Sequence, residues 1–175
     1  MLSCLKFTSL SLTASVLMCA LNVQIVAAQP TAPANLSPEG ETAQMTYAAV
    51  GVQIYECKIV DAKATWTFVA PEADLFDASG KRVGKHYAGP SWESDDGSKI
   101  VGTLKARADS SRPGAIPHLL ITTRADAKPG VFAKITSLQR VNTLGGVAPT
   151  TPCVAADAGK QMRVYYSADY KYFSK

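Results

Sequence analysis

The fold class is decided by residues 161–172, QMRVYYSADYKY, in which apolar and polar side chains alternate. The apolar positions are Met162, Val164, Tyr166, Ala168, Tyr170 and Tyr172. A repeat of two residues places all of these side chains on one face of a β-strand and the intervening polar side chains on the other. We therefore predict an amphipathic strand whose apolar face is central to the core of the protein.

Shorter runs upstream show the same repeat, and turn signals containing Gly or Pro separate them at close intervals. These runs cover residues 52–59, 65–70, 99–107 and 118–122. The apolar face changes between Ile54 and Tyr55, which indicates a β-bulge, and the last run is apolar on both faces, as expected for a central strand. Many short strands with frequent turns predict a single-domain, all-β antiparallel sandwich or barrel with short loops and little helix.

The N-terminal segment has the features of a signal peptide rather than of a folded element. Lys6 is the only charged residue before Glu39, and an apolar stretch ends in small residues before Gln29, as at a signal-peptidase site. We expect a secreted protein in the periplasm or the extracellular medium; the alternative is an uncleaved membrane anchor. The predicted organisation is a signal peptide over residues 1–28, a proline-containing flexible linker over 29–39 and a single β domain over 40–175.

Removal of the signal peptide would also remove Cys4 and Cys19 and leave Cys57 and Cys153. In an oxidising compartment an even pair of cysteines is typical of a disulfide, and we predict that these two are joined. Closing a loop of ~100 residues is worth about 4.7 kcal/mol when only the entropy of the unfolded chain is considered. The alternative is two separate buried thiols.

Charge patterning excludes several function classes. The full chain has a net charge of +4, of which Lys6 contributes one, and charges of the two signs are interspersed. The densest basic stretch, residues 81–85, holds too few basic side chains for a nucleic-acid binding surface, so we expect no nucleic-acid partner. No segment after the signal peptide is long and apolar enough to cross a bilayer, so the cleaved protein is not expected to be an integral membrane protein.

Motifs for metal, cofactor or catalytic chemistry are weak in this sequence. The chain has two histidines, His86 and His118, whereas a zinc site needs three or four nitrogen, sulfur or carboxylate ligands. Neither a G-x-G-x-x-G nucleotide-binding turn nor a G-x-S-x-G nucleophile elbow occurs. We therefore predict no catalytic residue, no metal and no cofactor.

One alternative is an enzyme in which His86 acts as a base. The possible nucleophiles and orienting carboxylates are Ser91, Ser94, Ser98, Asp95 and Asp96. Such combinations arise easily by chance in turns, so a binding function is favoured. The acidic stretch over residues 93–98 could also form a calcium loop, but Asp96-Gly97 favours a hairpin turn.

The hairpin around Asp96-Gly97 draws attention to Glu93. If those two residues form the turn, Glu93 lies opposite Ile100 and shares the apolar face of Gly102. A carboxylate on an apolar face must be paired, protonated or functional. Arg140 is the nearest basic candidate for a partner, and Gly102 leaves room beside Glu93.

A turn one residue longer is the alternative. It would send Glu93 to solvent and leave Trp92 as a core residue, because a shift of one residue exchanges the two faces. In either case Gly89-Pro90 can bend the chain so that His86 returns toward Trp92. The candidate ligand-binding residues are His86, Tyr87, Trp92, Glu93, Asp96, Arg140 and Asn142.

An ordered set of sequence blocks resembles a known family. The blocks are Gly51–Cys57, Pro71–Asp77, His86–Glu93, Asp96–Ser98, Gln139–Thr143, Gly145-Gly146 and Tyr166–Tyr170. Over about residues 40–175 the chain is similar to the secreted bacterial and fungal proteins grouped as domain of unknown function 3455. That family is uncharacterised, so the resemblance implies no mechanism.

Three function hypotheses follow from these observations. The favoured one is a secreted β-module that binds a small ligand or surface component without chemistry. The others are a hydrolase or isomerase that uses His86 with nearby carboxylates, and a structural or stress-related envelope protein. A cavity that converges on His86 and Trp92 would favour the first two hypotheses, and its absence would favour the third. The sequence does not indicate an oligomeric state.

Overall fold

Residues 34–175, the part of the chain that the computed structural model describes, form a closed β-barrel of eight antiparallel strands. In chain order the strands are β1 (Thr42–Val60), β2 (Lys63–Phe76), β3 (Arg82–Tyr87), β4 (Ser91–Ser94), β5 (Lys99–Ala108), β6 (His118–Ala125), β7 (Ser137–Gly145) and β8 (Gln161–Ser174). Each strand pairs with its neighbours in sequence, and β8 pairs with β1 to close the barrel. The predicted all-β antiparallel class is confirmed, and the barrel is the observed architecture. The predicted signal peptide over residues 1–28 lies outside the described residues.

Strand β8 supplies the apolar face that the alternation predicted. The side chains of Tyr166, Ala168, Tyr170 and Tyr172 are buried inside the barrel, and the polar side chains between them are half-buried. Together with apolar side chains from the other strands they form the hydrophobic core. The predicted amphipathic strand is confirmed over Tyr166–Tyr172, whereas Met162 is exposed and Val164 is only half-buried because this end of the strand lies beyond the core.

Strand β1 contains the predicted bulge. Its register with β2 shifts between Ile54 and Tyr55, and Gln53, Ile54 and Tyr55 are buried in succession. A bulge releases neighbouring side chains from strict alternation. As a result Gln53 lines the interior, while the Tyr55 hydroxyl donates to the carbonyl of Gly146 at 2.7 Å.

The β1–β2 hairpin extends past the ends of β3 and β8 and is fastened to the loop between β7 and β8. Cys57 and Cys153 form a disulfide there, with Cα atoms 5.7 Å apart. The indole N–H of Trp66 donates to the carbonyl of Thr151 at 2.8 Å. The predicted disulfide is confirmed, and such a bond is typical of an oxidising compartment.

Ordered packing begins before residue 40, where the sequence placed the start of the domain. Ala34–Leu36 form a short 3-10 helix beside β5 and β6, and Leu36 is fully buried. The side-chain amide of Gln139 donates to the carbonyl of Leu36 at 2.5 Å. An apolar side chain and a backbone acceptor therefore hold part of the predicted linker on the barrel. Among residues 34–175 no helix is long and apolar enough to cross a membrane.

The loop between β6 and β7 closes one end of the barrel. Phe132 in this loop is fully buried and stacks on Tyr172, with ring centroids 4.9 Å apart. The carboxylate of Asp96, in the β4–β5 turn at the same end, accepts the backbone N–H of Val131 at 2.8 Å. The opposite end, which carries the β3–β4 turn, holds a cavity.

Candidate functional site

The register of the β4–β5 hairpin decides which side chains face the barrel interior. Glu93 lies opposite Lys99, so the predicted pairing of Glu93 with Ile100 is wrong. The connection is the longer turn, residues 95–97, in which Gly97 has a positive φ of 83°. A three-residue hairpin loop of this kind places a glycine in the left-handed region. The extra residue turns Glu93 to the outer face.

Trp92 occupies the interior position instead. It is fully buried and lies opposite Ile100. The space beside Gly102 belongs to Trp92 rather than to Glu93, because a Cβ on Gly102 would lie 2.9 Å from Cζ3 of the indole. The longer-turn alternative, with Trp92 as a core residue, is confirmed.

His86 packs flat against Trp92 across the β3–β4 pair. Their ring centroids are 4.2 Å apart with planes 9° from parallel, and the ring of Tyr170 meets His86 edge-on at 5.2 Å. Residues 88–90 form the turn between the two strands. The predicted return of His86 toward Trp92 is confirmed.

The contacts of His86 determine its chemistry. Its Nδ1 lies 2.8 Å from the carbonyl oxygen of Ser91, which can only accept, so Nδ1 carries the hydrogen. Burial, assisted by the positive charge of Arg140, lowers the pKa of His86 to about 3 even though the Ser91 contact raises it. A base with so low a pKa takes up a proton poorly near neutral pH.

Two of the three hydroxyl groups considered as nucleophiles have other partners. The Oγ of Ser94 donates to the carbonyl of Val83, at a long 3.4 Å, and the Oγ of Ser98 donates to the Asp96 carboxylate at 2.6 Å. Within the described part of the chain, His86 has a hydrogen bond to neither a carboxylate nor a hydroxyl. The contacts that a catalytic triad needs are therefore not formed by these residues.

Arg140 points from β7 into the barrel, opposite Tyr170 of β8. Its Nε and Nη2 donate to the carbonyl of Pro117 at 3.1 and 2.9 Å. Over residues 34–175 it makes no ion pair with a carboxylate. The expected partner Glu93 pairs instead with Lys85 on the outer face, at 3.3 Å.

These side chains meet around a cavity of about 370 Å³ at the open end of the barrel. Its polar and aromatic lining consists of Gln53, His86, Trp92, Arg140 and Tyr170. Its apolar lining includes Phe68, Val69, Pro71, Leu119 and Ile121. Half of the Phe68 surface is exposed, so the cavity has an apolar edge in contact with solvent.

Three residues that line the cavity carry a buried donor with no partner among residues 34–175. Among the described residues, Nε2 of Gln53, Nε1 of Trp92 and the hydroxyl of Tyr170 are shielded from solvent and form no hydrogen bond. Buried polar groups in native proteins are nearly always satisfied. Three residues of this cavity therefore carry a polar atom that the described part of the protein leaves unsatisfied.

Two predicted site residues lie outside the barrel. Tyr87 and Glu93 share the outer face of β3 and β4, where the Tyr87 hydroxyl donates to Glu93 at 2.6 Å. That hydrogen bond and the ammonium of Lys85 hold the pKa of Glu93 below its usual value. This pair therefore stabilises the outer surface and does not reach the cavity.

Asp96 and Asn142 also lie away from the cavity. Asp96 braces the closed end, where hydrogen bonds from Ser98 and Val131 lower its pKa to about 2. The side-chain amide of Asn142 donates to Asp169 at 2.7 Å. Three of the predicted residues, His86, Trp92 and Arg140, are thus brought together and four are not. Among residues 34–175 no group of three or more His, Cys, Asp or Glu could hold a metal ion.

A family model described as "Protein of unknown function (DUF3455)" matches residues 38–174 of the chain. The chain belongs to this family. The match confirms the resemblance carried by the sequence blocks. No curated protein and no solved structure matches the chain. For this family member, the cavity is the feature from which a function can be inferred.

Gln53 is the cavity residue of this family member that the sequence analysis missed. It lies between Val52 and Ile54 in an apolar run, directly before the bulge. Its position beside a predicted bulge could have identified it, because bulges often redirect a side chain next to a functional site. Tyr170, which the alternation of β8 predicts as a core residue, also lines the cavity.

Proposed function

We propose that this protein binds a small organic ligand in the open end of its barrel and performs no chemistry on it. Eight-stranded barrels are wide enough to hold one small ligand. The cavity of about 370 Å³ is within the 300–1,000 Å³ range of small-molecule sites. An apolar wall with a few converging polar groups is the usual composition of such a site.

The observation that carries this proposal is the set of unpartnered buried donors. Gln53, Trp92 and Tyr170 all line this cavity, and each carries one buried donor that finds no acceptor among the described residues. Leaving a buried polar group unsatisfied costs about 1–3 kcal/mol. Apolar side chains at these positions would avoid this free-energy cost if the cavity had no ligand. The unsatisfied donors therefore support a ligand-binding role.

A binding role is favoured over catalysis because the cavity supplies no suitable base. His86 is neutral, with its Nδ1–H committed to the Ser91 carbonyl. The guanidinium group of Arg140 has hydrogen-bond donors and no acceptor. The residues that bring polar atoms to this cavity can therefore hold and orient a ligand.

The test uses a panel of small aromatic probes and the two indole N–H signals of the protein. Neutral 2-naphthylmethanol and anionic 2-naphthoate are titrated into the oxidised protein and followed by ¹H–¹⁵N NMR. We expect the Trp92 signal to shift while that of Trp66, which is bonded to Thr151 outside the cavity, stays in place. Failure of every probe to move the Trp92 signal at about 1 mM would overturn the proposal.

A pair of variants checks the location of binding. Val69→Phe enlarges a side chain at the cavity edge and should weaken probe binding at least about fivefold. Val131→Phe adds the same group at the closed end, where Val131 is exposed, and should leave probe binding unchanged. Equal affinities for the two variants would contradict binding in the cavity.

We also propose that the mature protein begins at Gln29 and is exported. The lone early charge Lys6, the apolar run and the small residues before Gln29 support this proposal, and the Cys57–Cys153 disulfide agrees with an oxidising compartment. Intact-mass measurement of exported material should give a chain that starts at Gln29. A chain that retains Met1 would contradict it.

A further inference from the structure

Resting on the proposed function, we propose that the ligand is a small organic acid whose carboxylate pairs with Arg140 and whose apolar body lies against the apolar wall of the cavity. Of the residues that the structure describes, Arg140 is the one with a charged side chain that lines this cavity. Among the described residues it has no carboxylate partner.

The guanidinium group of Arg140 is oriented yet retains free donors. Its Nε and Nη2 each give one hydrogen to the carbonyl of Pro117. A guanidinium has five N–H groups, so three are left for a ligand. Two of them can bind the two oxygens of one carboxylate, which is the geometry in which arginine recognises such groups best.

The unpartnered groups around Arg140 favour the same ligand charge. Gln53 Nε2 and Trp92 Nε1 can only donate, and the Tyr170 hydroxyl can do so. Each belongs to a residue that lines the same cavity as Arg140. A carboxylate has several acceptor sites and could satisfy them, whereas a cationic ligand would meet a like charge and leave these donors unmatched.

The other residues of the cavity lining indicate which groups the uncharged part of the ligand would carry. Phe68, Val69 and Leu119 are apolar, and the stacked rings of His86 and Trp92 add a flat surface. His86 is neutral, so it adds no charge to this surface. An apolar, ring-containing or branched acid would place its body here and its charge at Arg140.

The experiment compares probes that share one ring system and differ in charge. Isothermal titration measures 2-naphthoate, 2-naphthylmethanol and 2-naphthylmethylammonium against the oxidised protein. We expect 2-naphthoate to bind at least about tenfold more tightly than the alcohol, and the ammonium compound to bind most weakly. A 2-naphthyl phosphate arm distinguishes carboxylate recognition from general anion binding; tighter binding of the phosphate would overturn the carboxylate assignment.

Variants then assign the preference to Arg140. Arg140→Gln should reduce the advantage of the carboxylate over the alcohol to less than about threefold, and Arg140→Lys should keep part of it because the charge remains. Arg124→Gln, on an exposed arginine of β6, should keep the full preference. Circular dichroism and thermal unfolding confirm that each variant folds, and the Arg140→Lys result stands if Arg140→Gln does not fold.

The outcomes separate this inference from the function on which it rests. If the alcohol binds as tightly as the carboxylate and moves the Trp92 signal, the acid preference is overturned and the proposed function stands. If the preference survives Arg140→Gln in a folded protein, the assignment to Arg140 is overturned. If no probe binds, the proposed function itself fails.

Discussion

Gly102 has no side chain at the point where β5 passes the ring of Trp92. An added Cβ would lie 2.9 Å from the indole and 2.6 Å from Cγ2 of Ile121. We predict that Gly102→Ala lowers the free energy of unfolding by about 1–3 kcal/mol, because overpacking displaces buried side chains. Urea unfolding measures the change, with Thr103→Ala at the exposed neighbouring position as the control. Equal stability of the two variants would show that the interior yields to the extra methyl group.

Asp96 is a residue whose contribution to stability should depend on pH. Hydrogen bonds from Ser98 and Val131 lower its pKa from 3.8 to about 2. Because the folded-state pKa lies below the unfolded one, its stabilisation is complete above about pH 4 and is lost as the pH falls toward 2. The carboxylate is exposed, so screening keeps the effect small.

We predict that Asp96→Asn costs about 1 kcal/mol at pH 7 and close to nothing at pH 2. An amide cannot accept hydrogen bonds on both sides as the carboxylate does. Denaturant unfolding at the two pH values gives the difference, with Asp109→Asn as the control at a side chain that is 92% exposed. A cost that does not change with pH would contradict the charge-based explanation.

The prediction for one residue, Glu93, was wrong: it was expected on the apolar face opposite Ile100. The Asp96-Gly97 pair predicted a hairpin but left its length open between two and three residues. A difference of one residue exchanges inside and outside along the whole strand, so Glu93 and Trp92 changed places relative to the two-residue turn. The Asp96 carboxylate accepts a hydrogen bond from the backbone N–H of Val131 in a distant loop, which stabilises the longer turn, and no local pattern contains this contact.

At the scale of the element, the β1–β2 hairpin depends on its attachment to the β7–β8 loop. The hairpin extends past its neighbours, and the Cys57–Cys153 disulfide closes a separation of 96 residues. We predict that the double variant Cys57→Ala, Cys153→Ala lowers the free energy of unfolding by about 2–4 kcal/mol, since the cross-link restricts the unfolded chain.

Reduction provides the control for that prediction. The wild-type protein, unfolded in urea with a reductant present, should match the stability of the double variant, because both lack the cross-link and they differ only by two thiol groups. A loss below about 0.5 kcal/mol, which is typical of a surface substitution, would contradict a structural role for the bond.

Elements with a strong internal pattern were predictable, and elements held by distant contacts were not. The strict alternation of β8 and the face change at Ile54 lie in the local sequence, so strand and bulge could both be read. The 3-10 helix at Ala34–Leu36 is three residues long and has no periodicity. It is held by Gln139, more than 100 residues away, which local patterns do not encode.

At the scale of the whole molecule, closure of the barrel depends on pairing of the first strand with the last. An alternating pattern predicts strands with one apolar face, and both a sandwich and a barrel bury such faces. The same closure brings Gln53 of β1, Arg140 of β7 and Tyr170 of β8 around one cavity. The candidate site could therefore be predicted only in part. His86 and Trp92 lie in one hairpin, and Arg140 was predicted only as a partner for Glu93. Gln53 and Tyr170 were not predicted as site residues.

We expect polar residues at the open end of the barrel to lower the stability of the whole molecule while they contribute to ligand binding. Gln53 and Gln139 are both buried glutamines, but Gln139 donates to Leu36 whereas Nε2 of Gln53 has no partner in the described structure. Replacing an unsatisfied buried group by an apolar one of similar shape removes a penalty, and replacing a satisfied one removes a bond. The two positions therefore form a matched pair for one substitution.

We predict that Gln53→Met raises the free energy of unfolding of the ligand-free protein by about 1 kcal/mol, while Gln139→Met lowers it by a similar amount. The same Gln53→Met variant should bind 2-naphthoate more weakly, because it has lost a donor from a residue of the cavity lining, and Gln139→Met should bind it as the wild type does.

Thermal unfolding measures the change in stability, and isothermal titration measures the change in binding. Such a trade of stability for function is common where a site keeps polar groups for its ligand. If Gln53→Met destabilises the protein as much as Gln139→Met, then Gln53 serves the fold, and the donors of the cavity wall lose their significance as evidence for a ligand.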